Sequence, residues 1–571
     1  MKDYSDWEPI LDYENDSPWV DPKRPWLKLW TPEVPKTIKF DPIPVHEFIR
    51  VQISKFPNNV CVYHKPTDKK YTYRELMHYA DRIANALDEL GVGKGDFVGI
   101  MSVNCPEFIF AWFGILETGA TVVPINPLLH ESDVTHIVRD TGNINVIFVH
   151  KANYRTIKKT RKQVEVKHVI LLATQEAKDD AITLDEFING KAAKRPDVDI
   201  DPNNDIAALM FTGGTTGLPK GVMLTHNNLV SDVLTLLYKS NDSFEEIMKD
   251  QGNQVGIGIL PLCHVFGHEA LIWTLYGAAM YVMFNFNPSE VLETIEHYRV
   301  KIFAGVPVMF QMIINSPDFT ERDLSGLEIA ACGSAALAPE LNKKWEEVVG
   351  FKVSQGYGLT EGTAFATGPP LWIPEGIIPE SIGVPNIDTD ARIVNPDTLE
   401  ELNAGEVGEL LLRGPQVMKG YWQKPEETAK DIVDGWLRTG DLAKMDEQGY
   451  IYIEGRTKDM IKYKSYKVMP KEVEAKLMEH PAILEVGVVG VPDPNIGETI
   501  KAFIVLKKDY RDKGITERDI IEWSKDKLAG YKYPRQVEFI KTLPRTTIGK
   551  PFRRKLREME LEKKEKPLAP L

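Results

Sequence analysis

Between residues 45 and 354 the chain alternates two kinds of hydrophobic pattern. Short apolar runs at 97–101, 146–149, 168–172, 257–262, 281–284, 302–304 and 327–331 have the length of buried strands, and helix-length stretches separate them. In one such stretch Thr72-Tyr73-Arg74-Glu75 has the form in which a threonine hydroxyl and a glutamate three residues on satisfy each other's backbone N–H groups. It opens a predicted helix with Leu76, Ile83, Leu87 and Leu90 on one side. Repeated strand–helix units predict mostly parallel sheets covered by helices. From 382 to 412 the texture shifts to short strands and turns rich in Gly, Pro and Asn, as a small β subdomain would show. No fixed-period repeat is present.

The chain has 571 residues, 43% of them hydrophobic, which suits several large buried cores. Its net charge of −14 is unevenly spread. From Arg456 onward 27 basic residues stand against 18 acidic ones, leaving 42 against 65 before it. A basic C-terminal module therefore follows an acidic body, and complementarity between domains or solubility explains this better than nucleic acid, whose motifs are absent. Cys61, Cys105, Cys263 and Cys332 form no C-x-x-C pair and are too few for a disulfide framework, which implies a reducing compartment. The first 16 residues carry no apolar leader, no uncharged apolar run approaches membrane-spanning length, and the last residues, Leu568-Ala569-Pro570-Leu571, are not a peroxisomal signal. A cytoplasmic enzyme is expected.

The most chemically loaded stretch follows the apolar run 206–211: Thr212-Gly213-Gly214-Thr215-Thr216-Gly217-Leu218-Pro219-Lys220-Gly221. Glycines let successive N–H groups point into one concavity, hydroxyls add donors, and Lys220 adds a point charge, so the composition suits a polyphosphate. It is not a Walker A loop. Pro219 stands where that motif needs glycine, and no hydroxyl residue follows Lys220.

Three further segments follow in order: Gln355-Gly356-Tyr357-Gly358-Leu359-Thr360-Glu361, then Gly435 to Asp441 with Gly455-Arg456-Thr457-Lys458-Asp459, then Pro544-Arg545-Thr546-Thr547-Ile548-Gly549-Lys550. Taken together, from about residue 45 to 556, they resemble the adenylate-forming superfamily, and the Thr-Gly-Gly-Thr-Thr-Gly form is most similar to fatty acyl-CoA ligases. The resemblance implies an α/β fold: a large N-terminal domain, 1–455, of two helix-covered, mostly parallel sheets plus a small β subdomain, and a small mobile α+β C-terminal domain, 456–571. It implies ATP, Mg²⁺ and CoA as cofactor and co-substrates of an ATP-dependent, AMP-forming acid–thiol ligase.

By the same resemblance, Lys550 bridges the acyl carboxylate and the α-phosphate, Glu361 holds Mg²⁺ and Thr360 a phosphate oxygen. Thr212 and Lys462 join Lys550 and Glu361 as catalytic candidates. Asp441 accepts the ribose hydroxyls with Arg456 as its partner, Gly333, Ser334, Ala335 and Tyr357 line the adenine, and Gln355, Gly356 and Gly358 are further nucleotide-binding candidates. Lys458 is the hinge. His264, Val265, Phe266, Val306, Met309 and Phe310, with Gly333 and Gly358, are expected around the acyl group. His264 and His268 are four apart, but Gly267 and the strand before them weaken a metal pair. Ser465 stands where the family usually has glycine, which leaves the thiol acceptor open.

No aspartate for a substrate ammonium stands near His264, and Gly358 is not the tryptophan of acetate-activating relatives. An open pocket for a medium- or long-chain fatty acid or an aryl acid is therefore expected. The alternatives are a ligase that loads a carrier-protein thiol and a nucleotide-binding regulator without turnover. The expected partners are the carboxylic acid, ATP and CoA, with no nucleic acid and no transmembrane segment, and a homodimer is a candidate assembly.

Overall fold

The computed structural model describes residues 2–142, 144–212, 219–238, 255–277, 279–283, 285–373, 375–464, 466–493, 497–545 and 552–565. By packing, the chain divides into a larger unit, Met1–Ala391 with Leu411–Thr439 and Glu447–Tyr450, and a smaller one, Arg392–Leu410 with Gly440–Asp446 and Ile451–Leu571.

The larger unit holds two large sheets. One has eight strands in the order Gly420–Tyr421, Lys220–Thr225, Ile206–Thr212, Thr121–Ile125, Phe97–Met101, Ile144–His150, His168–Leu172, Ile182–Thr183. Its first two pairings are antiparallel and the rest parallel. The other has seven strands in the order Ser354–Gln355, Ile329–Cys332, Ile302–Gly305, Val255–Gly258, Ala279–Val282, Val60–His64, Lys69–Thr72, antiparallel only at the last pairing. The fold is α/β with mostly parallel sheets, as the alternating pattern predicts.

Residues of both sheets share one core with the helices Val45–Lys55, Tyr73–Glu89, Pro106–Glu117, His226–Leu237 and Val265–Gly277. Pro106–Glu117 is apolar on every side and eleven of its twelve residues are buried, the mark of a helix enclosed by other elements. The Thr72/Glu75 capping box forms as expected, with the Glu75 N–H donating to Thr72 Oγ1 at 3.2 Å and the Thr72 N–H to Glu75 Oε2 at 2.8 Å. Leu76, Ile83 and Leu87 are fully buried, but Leu90 is 41% exposed because the helix ends at Glu89.

The apolar run 257–262 overestimates its strand, which ends at Gly258. Beyond it Asn104 replaces a neighbouring strand: its amide donates to the carbonyls of Gly258 and Leu260 at 3.2 and 2.9 Å, and its oxygen accepts from Leu262 N at 2.9 Å. The chain stays buried without ladder pairing. The first forty residues tie to a distant part of the same unit. Ser17 Oγ and the Ile38 N–H donate to the two oxygens of Asp388, Arg24 pairs with Asp390 at 2.7 Å, and Trp30 stacks on Trp372.

In the smaller unit the long hairpin Ile483–Asp493 and Gly497–Leu506 is extended by Ile461–Tyr463, with Tyr466–Val468 beyond it, and by the parallel strand Gln536–Phe539, both of which pair with Gly497–Leu506. Helices Pro470–Met478, Glu517–Lys525 and Arg553–Glu565 complete an α+β arrangement.

Candidate active site

Thr212 and Lys220 are register partners at the ends of two antiparallel strands, so they frame the Gly/Thr loop between them. Gly213, Gly214, Thr215, Thr216 and Gly217 themselves lie outside the described residues. Lys220 pairs with the Glu427 carboxylate and sits 4.7 Å over the ring of Tyr421. The hydrogen bond from Lys220 holds the Glu427 carboxyl below its ordinary range.

Tyr421 is the hub that the sequence did not reveal. Its hydroxyl lies 3.0 Å from Glu361 Oε1 and 2.9 Å from Asp431 Oδ2. Burial, then the Glu361 and Asp431 charges, push its titration far above the ordinary tyrosine range, so the phenol keeps its proton. The hydroxyl has one hydrogen for two carboxyl groups, and it chooses between them. The Gly420-Tyr421-Trp422 run was the available signal, but only the pairing of Gly420–Tyr421 with Lys220–Thr225 gives it meaning.

The segment after Ser354–Gln355 is a tight turn. Gln355 is buried, its oxygen accepting from Leu337 N at 2.7 Å and its amide donating to the Pro379 carbonyl, so its side chain ties two loops together. The Ala366 N–H donates to the Tyr357 carbonyl at 2.9 Å and the Tyr357 N–H to that of Thr367 at 3.2 Å, which fixes the backbone of the proposed stacking residue. Thr360–Gly362 makes a single 3₁₀ turn, closed by Thr363 and Ala364 with φ of 55° and 85°. Both are left-handed and non-glycine, a costly conformation held by its surroundings.

Gly358 corrects the open-pocket argument. A Cβ there would stand 1.3 Å from the Ala364 carbonyl oxygen, inside the turn's own backbone. The glycine is required by close approach of two chain segments, and the direction of its absent side chain is filled.

Gly333, Ser334 and Ala335 follow the strand Ile329–Cys332, with Ser334 at φ 73°. A Cβ on Gly333 would lie 2.8 Å from the Phe266 ring, which in turn meets Phe365 edge to face at 5.8 Å. Gly333 and Phe266 are thus brought together. Val265 and Val306 are buried and His264 half-buried, its N–H donating to the Pro261 carbonyl, while Met309 packs against a second core. Phe310 does not line a pocket. It is fully buried between Phe303 and Trp345, at 5.3 and 5.2 Å. His268 is also fully buried against Trp112, and burial pushes it down to about 3, so it is neutral. Among the described residues no cluster of three or more His, Cys, Asp or Glu could hold a metal. Two cavities, of about 210 and 400 Å³, share no residue with the motifs.

In the smaller unit Asp441 and Arg456 are register partners in a hairpin, joined by a 2.9 Å ion pair. Asp441 is buried and Arg456 half exposed. The Gly440 carbonyl accepts from both the N–H and the hydroxyl of Thr457, at 2.9 and 3.0 Å, and its N–H donates to the buried Glu409 at 3.2 Å, so the peptide leading into Asp441 is held on both sides. Glu409 is a second residue that motif reading missed. Lys458 lies in the turn that follows, its carbonyl accepting from Arg557 at 3.1 Å. The Lys462 side chain is exposed and its backbone N–H donates to Glu498. Lys550 and Ser465 lie outside the described residues.

The family model for AMP-binding enzyme matches residues 49–422, and that for AMP-binding enzyme C-terminal domain matches 472–550. This chain belongs to the AMP-binding enzymes. It is 35% identical over 568 residues, 95% of this chain and 99% of the relative, to a long-chain-fatty-acid–CoA ligase of Bacillus subtilis. Among solved structures, ATP-bound MatB from Rhodopseudomonas palustris is 28% identical with a TM-score of 0.80, spanning 90% of this chain and 99% of that one. The anthranilate CoA ligase AuaEII in complex with anthranoyl-AMP is 29% identical with a TM-score of 0.78, spanning 90% and 97%. The superfamily that the motifs resemble and the fold they imply are both borne out.

Proposed function

We propose that this AMP-forming acyl-CoA ligase joins a fatty or aryl carboxylic acid to CoA in two half-reactions. The carboxylate attacks the α-phosphorus of ATP, forming the acyl-adenylate as the bond to pyrophosphate breaks. The CoA thiol, losing its proton, then attacks the acyl carbon and AMP leaves. The observation that carries the reading is the convergence of Lys220 and Glu361 on Tyr421, at the start of the strand that leaves the Gly/Thr loop.

Alignment and neutralisation of charge supply most of such a rate. Lys220 stands at the mouth of the loop as a point charge for the phosphates. Its present partner, Glu427, is surface-accessible and surrenders it at little cost. We assign Lys550 to the carboxylate and α-phosphate, Asp441 to the ribose hydroxyls, and the turn at Lys458 to the change of pose between half-reactions. Mg²⁺ fits Glu361, since that ion takes few protein carboxylates and completes its shell from phosphates and water. It would screen the triphosphate. The single hydrogen of the Tyr421 hydroxyl would then go to Asp431.

The Bacillus subtilis relative supports a long-chain fatty acid and AuaEII an aryl acid. The aromatic pair Phe266 and Phe365 against Gly333 suits either. The four cysteines are free, in keeping with a reducing, cytoplasmic setting, and no helix among the described residues is long and apolar enough to cross a membrane. A panel of carboxylates with ATP and CoA, read by carboxylate-dependent pyrophosphate exchange and mass spectrometry of the thioesters, tests the assignment. Absence of exchange with every acid refutes ligation. Exchange without an acyl-CoA product points instead to a carrier-protein thiol.

A further inference from the structure

Two carboxyl side chains, Asp232 on His226–Leu237 and Glu269 on Val265–Gly277, are completely buried within the larger unit. Asp232 Oδ1 accepts the N–H of Phe365 at 3.1 Å, across 133 residues of chain. Among the described residues, Asp232 Oδ2 and both oxygens of Glu269 find no hydrogen-bond donor. The neighbouring His268 is neutral, so it supplies no counter-charge. Burial raises both carboxyls well above the ordinary range, and for Asp232 the charge of Glu269 adds to it, so the pair retains a proton.

Phe365 stands where this bond matters. Its ring meets Phe266, which lies against Gly333, its carbonyl accepts from Asn386 at 2.8 Å, and the next residue, Ala366, donates to the Tyr357 carbonyl. One hydrogen bond, donated by Phe365 to Asp232, therefore fixes both the aromatic pair and the backbone that carries Tyr357. We propose that Asp232, steadied by Glu269, is a positioning residue that sets the Phe365–Phe266 wall against the acyl group and holds the Tyr357 turn; the acyl part of this inference rests on the ligase reading above.

Asp232→Asn keeps the oxygen that accepts from Phe365 and offers Glu269 an N–H in place of the retained proton. Asp232→Ala removes the acceptor. The double variant Asp232→Leu/Glu269→Leu removes it too while replacing the buried pair with apolar volume, a change that proteins often tolerate without loss of stability. Two readouts are taken on the full chain: hydrogen–deuterium exchange of the peptide containing residues 357–366 without ligands, and KM and kcat for pyrophosphate exchange with the best acid. The Ala and double-Leu variants are expected to lose protection at 357–366 and to raise KM for the acid about tenfold with kcat within about threefold, a step of about 1.4 kcal/mol. Asn is expected to match the parent in both. Unchanged protection in the folded double-Leu variant overturns the proposal, and so does an Asn variant as impaired as Ala, since charge and not the Phe365 bond would then matter. If the parent shows no exchange with any acid, the ligase reading fails, while the protection experiment still decides whether Asp232 holds the turn.

Discussion

The Glu361 turn of the larger unit and the Asp441–Arg456 pair of the smaller one are both motif-bearing sites, yet they are built in opposite ways. Glu361 is held by Tyr421, sixty residues on, inside a turn with two left-handed non-glycine residues and a glycine pressed against backbone. Asp441 and Arg456 face each other because hairpin register puts them there, with the arginine half exposed. The first site depends on distant packing and tolerates little. The second depends on local pairing and should absorb change.

The largest effect expected from that contrast is at Gly358. Even Gly358→Ala places a methyl on the Ala364 carbonyl, so the turn must open at a cost above about 3 kcal/mol. Pyrophosphate exchange should vanish and the melting temperature fall. A fully active Ala variant would mean that the turn is far softer than its geometry indicates. Lys550→Ala should instead lose about 10²–10³ in exchange rate with the melting temperature unchanged, because the charge we propose for the transition state carries no fold. Loss of both together would move Lys550 to a structural role.

Acid should find the larger unit first. His46, His226 and His268 are fully buried and neutral there, burial being the main cause, with His226 pushed down to about 4 and its Nδ1 accepting from Val45 N at 3.2 Å. Their folded-state titration lies below the unfolded one, so the unfolded chain binds more protons as pH falls. The stability that these histidines confer is complete above about pH 6.5 and declines below it, by up to about 1.4 kcal/mol per pH unit for each, while the raised carboxyls of Asp232 and Glu269 act in the opposite sense. In the smaller unit His480 is only partly buried. Urea unfolding between pH 7 and 4, read separately with peptides from each unit by hydrogen exchange, should show the larger unit weakening more. His226→Asn, which keeps an acceptor and cannot titrate, should reduce the slope.

Tyr421→Phe should cost about 1–3 kcal/mol by leaving Glu361 and Asp431 without their shared donor, and should raise KM for ATP more than it lowers kcat. Kinetics equal to those of the parent in the Tyr421→Phe enzyme would remove the hydroxyl from the site. Arg456→Lys should be the mildest, under about 1 kcal/mol in stability, since a half-exposed pair is screened by solvent. A large loss of stability there would erase the distinction between the two sites.

The same contrast explains what the sequence made legible. The capping box at Thr72, the strands 97–101 and 168–172, and the two-sheet architecture were readable because period and local chemistry decide them. Asp441 and Arg456 were readable as motif members, and the hairpin pairs them. Tyr421, Glu409 and Asp232 were not, because each acquires its role from a partner far along the chain and sits in no pattern of its own. Gly358 misleads for a related reason: a missing side chain reads as space, when the Ala364 backbone occupies it. Phe310 misleads likewise, since an aromatic after a glycine-bearing strand suits a pocket wall and a core equally, and Trp345 decides for the core.

The ties from Ser17 and Ile38 to Asp388 have a bearing on the moment of synthesis. At about 5–20 residues per second, the ribosome delivers Asp388 roughly 20 to 70 seconds after the segment that waits for it. During that interval Trp26 and Trp30 have none of their later partners, Gly449 and Trp372, to cover them. The nascent chain must therefore carry an early aromatic segment unpaired through most of its translation, a period in which a chaperone or a pause in elongation would have the most to protect.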